Sequence, residues 1–287
     1  MDLGSGHQIL KLVRRVRPQL IVNAAAYTAV DKAEDDEANA HAVNAQAPGF
    51  LADEARRLGA TLIHFSTDYV FDGKKGTPYL ESDSVNPLNS YGRTKLAGEE
   101  AIRQSGVSHL IFRTSWVYAT RGKNFLLTIL RLATQRNELR IVSDQTGSPT
   151  CARNVALAIC NILADINTRD PGQFLVDDVS GTYHITAGGQ TSWYGFAKAI
   201  LAEARALPCD LPWFAAATAE RALIADCILP IKAAEYPSPT SRPAYSVLSN
   251  ARLSGTFGLA LPTWSEQLRA CFTPTSAGSD PSLVETS

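Results

Sequence analysis

The chain has 287 residues, 45% hydrophobic and 19% charged, and its 27 basic and 28 acidic side chains leave a formal net charge of −1. That composition can bury a core, which excludes a disordered chain, and the balanced charge excludes a general nucleic-acid binder, which carries a basic excess. No apolar run reaches the roughly 18–20 residues of a membrane span. The first residues lack the layout of a secretion signal, and five scattered cysteines (Cys151, Cys160, Cys209, Cys227, Cys271) show no metal-ligand spacing. Free thiols in a reducing cytoplasm and no bound metal are expected.

Helical periodicity opens the chain at Gln8–Val16 and is followed by an apolar run, Gln19–Ala26 (QLIVNAAA), that reads as a buried strand. A long helical stretch, Asp31–Leu58, leads to a second strand at Thr61–Ser66. Leu96–Gln104 is helical, His109–Val117 a strand, Phe125–Gln135 helical and Glu138–Val142 a strand. Continuous apolar runs indicate strands covered on both faces. Their alternation with helices predicts right-handed crossovers and a doubly wound parallel sheet, an α/β fold with residues 1–143 forming a Rossmann-like dinucleotide-binding unit. Beyond Ser143 the pattern loosens: a helix at Ala152–Leu163, a short strand at Thr182–Thr186, a helix at Ser192–Ala204, and frequent prolines. Residues 144–272 are expected to form mainly a smaller substrate lobe. Tyr236–Pro243 (YPSPTSRP) reads as a pinned loop rather than a PxxP ligand, and 273–287 as a disordered tail.

Tyr91 and Lys95 form a YxxxK pair in SYGRTKLAGEEA. Spacing of four places both on one helix face, where a neighbouring ammonium favours the phenolate and lowers the tyrosine pKa. Such a tyrosine can protonate a carbonyl oxygen as hydride reaches its carbon. Tyr194 and Lys198 share the spacing, and that pair reads as helix surface. Context separates the two. The strand before Tyr91 ends in Ser66-Thr67-Asp68, polar groups at the carboxyl end of a strand, where open α/β sheets bind ligands. The earlier strand ends in Asn23-Ala24-Ala25-Ala26, small enough for a flat ligand to approach the backbone.

These motifs resemble those of the extended short-chain dehydrogenase/reductases, most closely the dTDP-4-dehydrorhamnose reductases. The matching segments are VNAAAYTAVDKAE (22–34), HFSTDYVFDG (64–73), PLNSYGRTKLAGE (87–99), FRTSWVYA (112–119), DQTGSPT (144–150), YHITAGGQTSWYGFA (183–197) and SRPAYSVLSNARL (241–253), in the family's order. The resemblance implies an oxidoreductase using NADPH or NADH to reduce the C4 keto group of a nucleotide-linked 6-deoxy sugar, on the way to dTDP-rhamnose and surface polysaccharide. It implies Tyr91 as general acid, Lys95 as the ribose-binding residue that lowers the Tyr91 pKa, and Thr67 as hydrogen-bond partner of the reacting oxygen. Asp68 and Trp116 would line the sugar site. Ala25, Ala26, Tyr27 and Thr28 would lie beneath the cofactor, with Asp2 and Leu3 beside the adenine. The implied partner is a small nucleotide-sugar substrate, with neither nucleic acid nor membrane; a homodimer is open.

Two departures shape further expectations. Ahead of the Asp2 segment the family runs through a strand, a glycine-rich GxxGxxG turn, a helix and a second strand, and that unit is missing here. With strand order 3-2-1-4-5-6, the sheet is expected to be split between Gln19–Ala26 and Thr61–Ser66, and cofactor binding by these 287 residues to be impaired. SNAR (249–252) stands where the family has an Asp and a Lys. The alternative functions are a non-catalytic regulatory or binding subunit of the same fold, or another sugar-nucleotide reductase or epimerase. The residues after Thr67-Asp68, Tyr69 and Val70, replace the carboxylates of the dehydratases and favour simple reduction.

Overall fold

The computed structural model describes residues 2–169, 172, 174–206 and 211–273. In chain order its first elements are α1 (Gly6–Val16), β1 (Leu20–Asn23), α2 (Glu37–His41), α3 (Ala47–Leu58), β2 (Thr61–Thr67), α4 (Ser90–Ser105) and β3 (His109–Thr114). Then come β4 (Val117–Tyr118), α5 (Phe125–Ala133), β5 (Glu138–Val142), β6 (Thr146–Gly147), β7 (Thr150–Cys151), α6 (Ala152–Arg169) and β8 (Gly181–His184). The chain continues with β9 (Thr191–Ser192), α7 (Trp193–Ala206), α8 (Pro212–Thr218), β10 (Cys227–Ile231), α9 (Ala251–Phe257) and α10 (Trp264–Phe272). Among the described residues, no helix is long and apolar enough to cross a membrane.

The main sheet is parallel, in the order β1-β2-β3-β8. Successive side chains of a strand point to opposite faces, and here both faces are apolar. Leu20, Ile63, Leu110, Phe112 and Tyr183 meet Val155, Ile159 and Ile162 of α6 and Leu253 of α9. Ile21, Leu62 and Ile111 meet Ile9 and Val13 of α1, Leu51 and Ala55 of α3, and Ile102 of α4. Helices therefore cover both faces, the doubly wound arrangement that continuous apolar strands predict.

The expected split of the sheet does not occur. β1 pairs directly with β2, Leu20 opposite Thr61 and Asn23 opposite His64, because these two strands are sheet neighbours. β1 forms an edge instead, with Val22 47% exposed. The two lobes are also not consecutive along the chain. α6 and β8, beyond residue 143, return to the main sheet, whereas β5, before it, pairs with β10 in a separate two-stranded sheet. That small sheet packs with α5, α7, α8 and α10 around Leu130, Leu139, Phe196, Ile200 and Phe272.

Other boundaries shift for local reasons. The helical stretch begins at Glu37 rather than Asp31, and a π-type turn, Ala42–Gln46, joins α2 to α3. The strand expected through Val117 ends at Thr114, because Trp116 takes a left-handed backbone with φ 47°. β4 then pairs with β7. Residues 274–287 and Cys209 lie outside the described residues, and the other four cysteines are free thiols.

Candidate active site

α4 carries the central pair. Its N-cap Asn89 accepts a hydrogen bond from Gly92 N at 2.8 Å, satisfying a donor that the helix start leaves free. The Glu34 carboxylate accepts from Ser90 N at 2.8 Å and Ser90 Oγ at 3.0 Å, a negative charge placed at the positive end of the helix dipole. Two glycines let α4 sit unusually close to its neighbours. A Cβ on Gly92 would meet Tyr69 O at 2.3 Å, and one on Gly98 would meet Asn44 O at 2.1 Å.

At the carboxyl end of β2 the Thr67 hydroxyl donates to Asp68 Oδ1 at 3.0 Å and neighbours the Tyr91 hydroxyl, whose pKa it acts to lower. Thr67, Asp68 and Tyr91 are thus brought together as the sequence predicts. Burial pushes the Asp68 carboxyl up to about 6, against the hydrogen bonds of Ser246 and Thr67. Lys95 lies on the same face of α4 as Tyr91, 1% exposed, and burial lowers its pKa to about 8 against the opposing field of Glu99. Its Nζ donates to Phe65 O at 2.6 Å and lies 3.0 Å from His64 Nε2.

One expectation is reversed. Tyr91 is raised to about 12, first by burial and then by the Asp68 charge, with only the Thr67 hydrogen bond acting downward. The Lys95 ammonium is not among the groups that act on the tyrosine; its Nζ is turned to Phe65 O and His64 Nε2.

The expected cofactor loop follows β1, with Ala24 and Ala25 exposed. Its backbone is held by Asn44 of the π-type turn, whose Oδ1 accepts from Tyr27 N at 2.8 Å and whose Nδ2 donates to Tyr27 O at 3.1 Å. The same Nδ2 reaches Thr94 Oγ1 of α4 at 3.2 Å, so the loop and α4 are tied through one amide. Tyr27 OH donates to Asp36 at 3.1 Å, and Thr28 is exposed. Asp2 and Leu3, expected beside the adenine, precede α1. Asp2 accepts from Gly4 N at 2.9 Å, and Leu3 packs with the α1–α3 cluster.

Trp116 is half-buried, its ring stacked on Trp193 with centroids 3.5 Å apart and planes 4° from parallel. A Cβ on Gly147 would lie 2.4 Å from that ring. The structure therefore joins Trp116 to the second lobe. Trp193 and Phe125 line a cavity of about 570 Å³, with Arg136, Arg140 and Arg242 among its walls. Its roof is the Tyr236–Pro243 loop, pinned as predicted: Arg242 Nη2 donates to both Asp31 oxygens at 3.0 Å, and Asn89 Nδ2 donates to Ser241 O at 2.9 Å. The second pair, Tyr194 and Lys198, lies on α7 with the ammonium over the tyrosine ring, 5.5 Å from its centroid, the surface role expected of it.

The family model of the RmlD substrate binding domain matches residues 1–276. The chain belongs to this family. It is 48% identical to a dTDP-4-dehydrorhamnose reductase of Burkholderia thailandensis, over 94% of this chain and 86% of the relative. It is 41% identical to that of Escherichia coli K12, over 92% and 82%. Among solved structures, a Bacillus anthracis dTDP-4-dehydrorhamnose reductase in complex with NADP superposes with a TM-score of 0.80 at 33% identity, covering 95% of this chain and 86% of that one. A Clostridium acetobutylicum reductase gives 0.81 at 33%, covering 94% and 85%.

Residues that the motifs did not single out complete the site. Asn44, His64, Glu99, Arg113, Ser246 and Arg242 lie inside the quoted motifs or helices, but nothing in their spacing separates them from packing residues. Asn250 is another. In place of the family's usual pattern it clamps the end of β8, accepting from Thr186 N at 3.1 Å and donating to Thr186 O at 2.8 Å.

Proposed function

We propose that the chain reduces the C4 keto group of dTDP-4-dehydrorhamnose, with NADPH or NADH as reductant, to give dTDP-rhamnose. The observation that carries this reading is the neighbouring Thr67 and Tyr91 hydroxyls at a strand's carboxyl end, with Lys95 one turn along the same helix, in a chain of this family. The residues fit a nicotinamide cofactor: exposed Ala24 and Ala25 leave the loop backbone open to a flat ring, and Lys95 offers a buried cation for ribose hydroxyls. Ala26, Tyr27 and Thr28 continue the same loop.

The cofactor supplies the hydride. Tyr91 gives its proton to the forming alkoxide, and Thr67 hydrogen-bonds that oxygen and fixes the carbonyl's direction. Asp68, anchored by Thr67 and Ser246, is placed to accept from a sugar hydroxyl, and Trp116 to cover a sugar face. The cavity of about 570 Å³ falls in the usual range for a small-molecule site, but Thr67, Asp68, Tyr91 and Lys95 are not among its lining residues, so it would take the nucleotide end of the substrate and not the reacting carbonyl. Arg136 and Arg140 bring cations to its wall that a diphosphate could use, while the Arg242 guanidinium is held by Asp31. Arg242 Nε is buried without a partner among the described residues.

The test is NADPH or NADH oxidation by the purified chain, followed by absorbance, with dTDP-4-dehydrorhamnose and with a nucleotide-linked 4-hydroxy sugar as control. Oxidation only with the keto sugar supports the reading. No oxidation with either cofactor in the presence of the keto sugar, in a folded protein, overturns it.

A further inference from the structure

A buried ammonium needs a counter-charge or a full set of acceptors. The nearest carboxylate to Lys95, Glu99 one turn along α4, is already occupied. Arg113 donates to its two oxygens at 2.9 and 2.7 Å, Arg103 donates at 3.1 Å, and Ser66 Oγ donates at 2.5 Å. What Lys95 has instead is a carbonyl and an imidazole, Phe65 O and His64 Nε2.

His64 is fully buried on β2, opposite Asn23 of β1 and Ile111 of β3. Its Nδ1 lies 3.1 Å from Asn23 Nδ2. Burial, then the Lys95 charge, hold its pKa well below the ordinary histidine value, so the ring is neutral, with one donor and one acceptor nitrogen. Two arrangements pair both ring nitrogens of His64 with Asn23 and Lys95, and the amide orientation of the structure, Nδ2 toward the ring and Oδ1 toward Ala25 N, is that of the second. If Lys95 is an ammonium, it donates to Nε2, the ring proton sits on Nδ1, and Asn23 turns its amide oxygen to it. If Lys95 is an amine, the ring proton sits on Nε2 and is donated to Nζ, and Asn23 donates to Nδ1. In that second arrangement Asn23 Oδ1 is free to accept from Ala25 N, at 3.3 Å, in the loop after β1. A single proton on Lys95 thus decides which way the Asn23 amide faces.

We propose that His64 is a positioning residue for Lys95: its neutral ring, with Phe65 O, fixes where the lysine nitrogen sits and, with Asn23, couples the lysine proton to the Ala24–Thr28 loop. The proposal rests on the reductase reading for the use made of Lys95, but the proton coupling itself does not. Besides His64, the ionisable groups facing Lys95 are Tyr91 and Glu99 on α4. Arg113 of β3 and Arg103 of α4 stand behind Glu99, and Asp68 lies beyond Tyr91. β1 contributes only the uncharged Asn23, and the 42–46 turn only the uncharged Asn44.

The first test reads the ring proton directly. In 15N-labelled protein the His64 ring, assigned by comparison with His64→Gln, should carry its proton on Nδ1 at neutral pH. It should move to Nε2 as Lys95 titrates, and Lys95→Met should abolish that change. The second test compares kcat against pH. His64→Leu should bring the alkaline limb down by about one pH unit, since it removes an acceptor that favours the ammonium. It should raise KM for the nicotinamide cofactor several-fold more than KM for the sugar nucleotide, and His64→Gln, which keeps an acceptor oxygen, should restore the limb. A ring that holds one tautomer throughout the Lys95 titration overturns the proposal. So does a folded His64→Leu enzyme with an unmoved alkaline limb. Failure of the reductase reading looks different: no cofactor oxidation at any pH, whatever the ring does.

Discussion

Gly98→Ala isolates how far catalysis depends on the seating of α4. Its Cβ would be built 2.1 Å from Asn44 O, where ordinary contact begins near 3.4 Å, so α4 and the 42–46 turn have to part by about 1 Å. The carbonyl belongs to the residue whose side chain holds Tyr27 and Thr94, so the displacement reaches the cofactor loop and the helix together. A shift of that size at reacting atoms costs on the order of 10²-fold in rate. Stability falls less, because overpacking costs about 1–3 kcal/mol while alanine gains about 1 kcal/mol over glycine within a helix. The net, about 0–2 kcal/mol, lowers Tm by up to about 8 °C in a chain of this size. Gly255→Ala is the matched control, a helical glycine with nothing within 4 Å of its Cβ; it should leave kcat unchanged and raise Tm slightly. The assay is steady-state NADPH oxidation with the keto sugar, beside a thermal melt of each variant. Gly98→Ala with wild-type kcat refutes the close seating as a determinant of the site. A rate loss matched by a collapsed melt would show instead that the contact serves folding alone.

Four further outcomes follow from the geometry. Tyr91→Phe should lower kcat by about 10²–10⁴-fold while Tyr194→Phe leaves it unchanged, and equal losses in the same assay would unseat the assigned pair. Trp116→Ala should raise KM for the sugar nucleotide more than it lowers Tm; a core tryptophan costs about 3–5 kcal/mol on truncation, so a collapsed melt with unchanged KM would make its role packing. Glu99→Ala leaves the Arg113 guanidinium buried without its carboxylate and should cost about 3–5 kcal/mol by urea unfolding, which a change under 1 kcal/mol would contradict. Asp68→Asn should stabilise the protein at neutral pH by up to about 2–3 kcal/mol but little near pH 4, while lowering activity; equal effects at both pH values would show that the carboxylate's ionisation is not what it relieves.

Much of the fold is legible because burial on both faces leaves a mark in one dimension. The runs at Leu62–Phe65 and Leu110–Phe112 are continuous in apolar character, interrupted only where a polar residue, His64, has buried work to do. Strand neighbours are less legible, since nothing in Leu20–Asn23 names its partner; the expected split of the sheet came from placing that strand on the wrong side of its neighbour. The β5–β10 pairing and the return of β8 to the main sheet join segments far apart in sequence, and pairing across such distances has no local signature. The site shows the same division. Thr67, Asp68 and Tyr91 stand at strand and helix ends, where polar residues in motifs are conspicuous. Asn23, Asn44, Glu99 and Arg113 act through buried partners contributed by other elements, and a sequence records residue types without recording which of them meet.

Two buried carboxylates show how this framework supports reactivity. Burial alone would raise both. At Glu99 it is outweighed by Arg113, with Ser66 and Arg103 adding hydrogen bonds, and the pKa is held below the ordinary carboxylate range. That pair stabilises the fold above the unfolded carboxyl pKa near 4.3, and its contribution is lost as pH falls through the lower folded value. At Asp68 no cation is close enough to reverse the burial cost, and hydroxyl and backbone hydrogen bonds leave the pKa at about 6. Between the unfolded value near 3.9 and 6, the folded state binds the extra proton, so stability falls as pH rises through that window. Packing alone would not select such a group. Its place beside Thr67 and Tyr91, with an unfavourable charge held where a sugar hydroxyl can satisfy it, is what a substrate-binding role would require. The stabilising ion network about Glu99 and the unfavourable carboxylate of Asp68 thus lie at opposite ends of α4, so the helix is fixed by ion pairs at one end and at the other faces a buried Asp68 Oδ2 without a partner among the described residues.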